Sequence, residues 1–375
     1  MRLTRRQLLV GSGALAAPPR LAFGQPAYPA ARIAPMIMVG FDGDWSGALG
    51  VRQMAAHIAA GRVGGICFVA KNAIRRKGVE SITGLFHAAS SQWPLLMAID
   101  QEGGNVQRLS SHLGYGYEPS PIKVATTEDT DSARKIYAAM AAAMHETGFN
   151  FNLAPVVDLG FEARNPLITQ KGRSFGADAS TVIAYSRAFV AAHRDEGVLT
   201  ALKHFPGHGS SVHDSHDGGV DVTRTWRDSE LVPYICLTAE GMVDTIMTGH
   251  LTHASLTEGL PASLSGQAIG GMLRKRVGFE GVVITDDLDM KAIRKNYARD
   301  EAIIRAVKAG NDIILVTNND SDPDLPLRII LAIQKGIRDG RLSTDRIEAS
   351  VARIENLKQG LARPSNAAAR MARQF

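Results

Sequence analysis

At 375 residues with 45% hydrophobic content, the chain can bury a large core, which excludes disorder as a whole. Its formal net charge is +5, but Arg2, Arg5, Arg6 and Arg20 fall within the first 24 residues, which hold no acid, leaving +1 for the rest. A nearly neutral body weakens the argument for a charge-driven binder of nucleic acid or of an anionic membrane surface.

The amino terminus, Met1-Arg2-Leu3-Thr4-Arg5-Arg6-Gln7-Leu8-Leu9-Val10, runs into a small-residue apolar stretch ending at Ala17. It resembles a twin-arginine export signal: paired arginines, then an apolar segment too short to span a bilayer. A signal peptide is expected over residues 1–24, cleaved near Ala22-Phe23-Gly24, with delivery to the periplasm. No other run approaches the roughly 20 apolar residues of a membrane span, so no stable membrane anchor is expected. Cys67 and Cys236 sit in apolar stretches far apart in sequence, and buried free thiols are the expectation.

Eight short apolar runs follow, at Met36–Gly43, Gly64–Ala70, Pro94–Asp100, Phe149–Asp158, Leu199–His204, Thr245–Leu251, Gly281–Asp287 and Asp312–Thr317. Their hydrophobicity is continuous rather than alternating, as in strands buried on both faces. Between them lie segments long enough for helices. Asp131–Gly148 is one; Asp178–Glu196, with Asp178 as its N-cap, is another; Thr344–Gln359 carries Ile347, Val351, Ile354 and Leu357 as a helical stripe. Strands alternating with helices imply parallel βαβ units. Eight units predict a single-domain α/β fold, a (β/α)8 TIM barrel over residues 30–360, followed by a flexible tail over 361–375; a doubly wound open sheet is the alternative. Strand ends carry Asp42, Asp100, Asp158, Lys203-His204, His250, Asp286-Asp287 and Asn318, the pattern by which barrel sites are assembled.

Lys203 to Asp217 is the stretch densest in proton-transfer groups. Four histidines and two aspartates lie between His204 and Asp217, broken by Pro206, Gly207 and Gly209. It reads as a loop at the carboxyl end of a barrel strand. Asp286 and Asp287 close the seventh run. Adjacent side chains leaving a strand point to opposite sides, so one can face the barrel mouth while the other supports it. A carboxylate at a barrel mouth can attack an anomeric carbon or stabilise an oxocarbenium ion.

Lys203-His204-Phe205-Pro206-Gly207-His208-Gly209, Asp214-Ser215-His216, Asp100-Gln101-Glu102-Gly103-Gly104, Gly172-Arg173-Ser174-Phe175-Gly176 and Thr285-Asp286-Asp287-Leu288-Asp289-Met290 together resemble bacterial β-N-acetylglucosaminidases of glycoside hydrolase family 3. The likeness is ordered along the chain from about residue 36 to 360. It implies a cofactor-free, metal-free, retaining exo-hydrolase of terminal β-linked N-acetylglucosamine, with peptidoglycan-derived or related glycans as its carbohydrate partner. By that resemblance Asp286 is the nucleophile and His216, paired with Asp214, the acid/base; Asp100, Arg108, Arg173, Lys203 and His204 bind the sugar. The physics agrees, since an Asp accepting one imidazole N–H fixes the tautomer and stabilises the imidazolium. Asp158 is read as scaffold. Two departures stand out: Asn105 replaces the family's usual Arg after the paired glycines, and an extra histidine, His213, precedes Asp214. A monomer is expected.

Three rivals keep some of these features. His204, His208, His213, His216, Asp214 and Asp217 could ligate zinc in a barrel hydrolase, although no H-E-x-x-H pattern is present. The same covalent intermediate could pass to phosphate, making a phosphorylase. A non-catalytic wall-glycan-binding protein on the same barrel is the third.

Overall fold

The structure, a computed structural model, describes residues 27–90, 94–215 and 217–361. The expected signal peptide and all but the first residue of the expected tail lie outside the described residues, and so does His216.

Each of the eight apolar runs contributes a parallel strand: β1 (Ile37–Val39), β2 (Gly65–Phe68), β3 (Leu96–Ile99), β4 (Phe151–Asn152), β5 (Leu199–Phe205), β6 (Thr245–Thr248), β7 (Val282–Thr285) and β8 (Ile314–Val316). Every residue of these strands is buried, which explains why hydrophobicity ran without alternation. Neighbours pair in sequence order, β8 lies beside β1, and a parallel bridge between Ile284 and Ile313 joins β7 to β8. The ring is therefore a closed barrel, not the doubly wound sheet.

A main helix follows each strand: α1 (Leu49–Ala59), α2 (Arg76–Ala89), α3 (Thr130–Glu146), α4 (Ala179–Asp195), α5 (Val232–Ala239), the π-wound α6 (Gln267–Val277), α7 (Arg299–Ala309) and α8 (Leu325–Arg338), with shorter helices at Ala30–Ile33, Pro121–Thr127 and Lys291–Arg294. Asp129 caps α3 through Ser132 N, and Asp178 caps α4 through Thr181 N, as its sequence predicted. A ninth main helix, α9 (Thr344–Leu361), buries Ile347, Val351 and Ile354, three of its four stripe residues. Cys67 is buried and Cys236 only half-buried, which corrects the expectation for the latter; both are free thiols.

Two sequence boundaries move. The run 149–158 forms a regular strand only at Phe151–Asn152, since Pro155 has no N–H to give the ladder; pairing resumes where Val156 bridges Lys203. The fifth strand extends through Phe205, so Lys203 and His204 belong to the strand and the loop begins after them. Its register against β6 shifts between Leu202 and Phe205. That irregularity lets two consecutive side chains, Lys203 and His204, both reach the barrel mouth, against ordinary strand alternation.

Candidate active site

A cavity of about 680 Å³ opens at the carboxyl end of the strands. All five residues expected to bind sugar line it, namely Asp100, Arg108, Arg173, Lys203 and His204, and so does Asp286. The remaining wall is mixed apolar and polar, including Val69, Leu167, Met247 and Met290. Such a mixture suits a sugar, which offers both C–H faces and hydroxyls.

The floor is a chain of buried charges. Lys203 Nζ lies 2.7 Å from Asp100 Oδ1 and 2.7 Å from Glu102 Oε1. Arg173 grips the same Glu102 with both arms, Nε to Oε2 at 2.7 Å and a terminal nitrogen to Oε1 at 2.8 Å. Burial works against the charges of Glu102, Arg173 and Lys203. Arg173 and Lys203 nonetheless hold the Glu102 carboxyl below its usual range, and Asp100 and Glu102 hold the Lys203 ammonium above its own. The site thus keeps its cations charged without water.

Glu102 did not emerge from sequence as a site residue. Its signal was available, two residues beyond Asp100 in the same motif, but the partners that explain it lie about 70 and 100 residues downstream.

Arg108 is placed through its backbone. Gln101 Oε1 accepts from Arg108 N at 2.9 Å and Leu109 N at 3.0 Å, while Asn152 clamps both the N–H and the carbonyl of Gln101. Arg108 Nε is buried with no hydrogen-bond partner among the described residues, a donor left over for a ligand.

His204 is oriented from behind. Its Nδ1 lies 2.7 Å from Asp158 Oδ2, so Nδ1 carries the proton and Nε2 is the nitrogen available to the cavity. The other Asp158 oxygen accepts from His204 N at 3.0 Å and His208 N at 2.8 Å. Burial would raise the Asp158 carboxyl, yet His204 and His208 keep it below its usual range. Asp158 does not line the cavity and acts through these neighbours. Burial pushes the His208 imidazole down to about 4, and its ring is spent on Ser211 and Ser215.

The loop after β5 is pressed into place by backbone contact. A Cβ on Gly209 would lie 1.6 Å from the Leu159 carbonyl oxygen, so only glycine fits there. Glu230, buried below, accepts from Leu159 N and Ser210 N.

Asp286 and Asp287 both line the cavity. Their surroundings separate them. Asp287 accepts from Thr317 N, Thr317 Oγ1 and Asp289 N, and burial raises its carboxyl to about 6 despite those bonds. His250 secures the same turn, with Nδ1 on Ser263 and Nε2 on the Asp287 carbonyl. The Asp286 backbone N–H is held by the Thr248 carbonyl at 2.9 Å, which fixes where its carboxylate enters the cavity.

Asp214 lies beside the main cavity, lining an adjoining space of about 470 Å³ together with Pro166, Lys171, Val212, His213 and Asp217. Lys171 is common to both spaces. Sequence reading missed it entirely, since nothing in its spacing marks it. Among the described residues no three His, Cys, Asp or Glu side chains converge as a metal-binding group, and no helix is long and apolar enough to cross a membrane.

Comparison with known proteins agrees with this architecture. The glycosyl hydrolase family 3 N terminal domain matches residues 31–357. A β-hexosaminidase of Mycobacterium tuberculosis, LpqI, is 37% identical over 280 residues, spanning 72% of this chain and 70% of that protein. The solved structure of M. tuberculosis LpqI superposes with a TM-score of 0.78 at 33% identity, covering 88% of this chain and 94% of that one. A family 3 β-N-acetylglucosaminidase from a Paenibacillus species superposes with a TM-score of 0.80 at 32% identity, over 90% of this chain but only 63% of the longer Paenibacillus chain.

Proposed function

The chain belongs to glycosyl hydrolase family 3, which makes it a glycoside hydrolase, and from that premise we propose that it is a retaining exo-β-N-acetylglucosaminidase. The observation that carries the proposal is one cavity lined by Asp286 together with a cluster of donors, Arg108, Arg173, Lys203 and His204. In this reading the sugar sits on Asp100 and those donors. The Asp286 carboxylate attacks the anomeric carbon as the glycosidic bond breaks, giving a covalent glycosyl-enzyme. Asp287, already committed to Thr317 and Asp289, supports the turn.

The acid/base pair is Asp214 with His216. It protonates the leaving oxygen and later takes a proton from water as the second step releases the sugar with its configuration retained. Support for this half comes from Asp214 standing beside the sugar-sized cavity, in a space that shares Lys171 with it. No metal or cofactor takes part. The natural substrates are peptidoglycan-derived or related glycans, met in the periplasm after export by the twin-arginine-type leader.

Hydrolysis of an aryl β-N-acetylglucosaminide, beside the matching β-glucoside, tests the reading. Turnover of the acetamido sugar, unaffected by EDTA and by phosphate, is expected. A phosphate requirement would make the protein a phosphorylase, and loss with EDTA would point to a metal hydrolase. Asp286→Ala is expected to abolish turnover with every leaving group. His216→Ala should hurt most where the leaving group is poor, and an equal loss across leaving groups would overturn its role.

A further inference from the structure

Lys171 faces both the sugar-sized cavity and the space under the Asp214 loop, and its ammonium stands 3.6 Å from Asp214 Oδ2. Its backbone is fixed from two sides. Asn105, between the strands of the short hairpin after β3, donates its side-chain amide to the Lys171 carbonyl at 3.1 Å. The next residue, Gly172, accepts from Ile122 N at 3.3 Å. Arg173, which grips Glu102, is two residues further on.

We propose that Lys171 is a positioning residue that registers the Asp214 loop against the sugar-binding wall and tempers the basicity of the Asp214 carboxylate. The proposal rests on the reading above, in which Asp214 belongs to the acid/base pair. The start of the loop is held by Glu230 at Ser210, by Asn165 at His208, Gly209 and Ser211, and by His208 at Ser211 and Ser215; its far end is held by Lys295 and Lys291 at Asp217. Lys171 reaches Asp214 from the neighbouring loop after β4, on the same short segment as Arg173. The ion pair therefore ties the loop after β5, at Asp214, to the loop after β4, and leaving-group protonation needs that loop in register with the sugar-binding wall. Among the described residues, the charged groups around Asp214 include Lys171 on the loop after β4 and His213 and Asp217 on its own loop, with Lys291 and Lys295 behind Asp217. Of these cations, Lys171 is the one whose ion-pair contact is with Asp214 itself. A cation there weakens the carboxylate's support of an imidazolium. The strap begins at Asn105, the position where the chain departs from its family's usual arginine.

The test uses the full chain with aryl β-N-acetylglucosaminides graded by leaving-group acidity. Lys171→Met is expected to lower kcat/KM for the poorest leaving group by about three- to tenfold, the scale of a partly exposed ion pair. With a dinitrophenyl leaving group, which needs no proton, the rate should hold. The basic limb of the kcat/KM profile should move to higher pH, because removing a cation raises the pKa of the acid. Lys171→Arg should restore both. Equal loss at every leaving group without a shift of the limb would overturn the proposal, as would no loss. Limited proteolysis of the loop around Val212 and His213 reads register without turnover. Faster cleavage in Lys171→Met than in the wild type or Lys171→Arg is expected, and equal cleavage would also overturn it. Failure of the wild type to turn over any acetamido sugar would instead sink the proposed function, leaving the proteolysis result to judge Lys171.

Discussion

Glu102 shows how much a single side chain can carry. It is 2% exposed and pairs with two buried cations, one from β5 and one from the loop after β4. Removing one member of a buried charge cluster leaves the others uncompensated, at about 3–5 kcal/mol. Glu102→Gln is therefore expected to lower stability by that order and to raise KM, because Arg173 and Lys203 lose the anchor that aims them. Denaturant unfolding beside steady-state kinetics measures both. The sequence motif identified Asp100, Arg173 and Lys203 as cavity residues, and all three line it. It did not show that Lys203 and Arg173 are joined through Glu102, because strand alternation says which face a residue takes and not which distant carboxylate it meets.

At the scale of an element, α9 carries a misfit at its end. Lys358 is 4% exposed and its amine has one hydrogen bond, to the Gly64 carbonyl at 3.1 Å. It borders a cavity of about 70 Å³ at the end of the barrel remote from the site. Burial pushes its pKa down to about 8 from the usual 10.5. A depressed folded pKa means that the stability it allows is fully present above the unfolded value and is lost as pH falls through the folded one. Lys358→Met is thus expected to stabilise the protein below pH 8, by about 1–3 kcal/mol at neutrality. The gain should shrink as pH rises from 8 and vanish above about 10.5. Gly64 O keeps its bond from Leu96 N in the variant, so no buried carbonyl is orphaned. Thermal melts across that pH range check the sign. From sequence, the stripe of Ile347, Val351 and Ile354 was legible at helical spacing; the burial of a lysine at the same helix's end was not.

For the molecule as a whole, the two ends of the barrel divide labour. The carboxyl end holds the cavity, and the other end is tied by Asp312, which is fully buried. One Asp312 oxygen takes Arg274 and Val283 N at 3.0 Å each; the other takes Ser350 at 2.7 Å and Arg346 at 3.1 Å. The carboxylate thereby joins β7, α6 and α9 just before β8, at the seam where the barrel closes. Asp312→Ala is expected to cost about 3–5 kcal/mol, the scale of breaking a buried ion pair. Folded enzyme recovered at low temperature should keep its KM, since no cavity residue is touched. A fall in Tm with unchanged KM is the expected result, and a raised KM would argue against the division.

The sequence alone determined the eight-fold alternation, the strand content, the helix caps at Asp178 and the stripe of α9, because each is local chemistry: continuous apolar runs, capping carboxylates, 3.6-residue spacing. The resemblance carried by its motifs also assembled the right cavity residues. Only the tertiary structure decided that Lys203 and His204 share one face, that Asp286 and Asp287 both reach the wall, and that Glu102, Lys171 and Asp312 matter at all. Those depend on a register shift between two strands and on partners up to about a hundred residues away. Sequence periodicity reports which side of an element is buried; the charge that a buried group meets there is set by how separate elements close on one another.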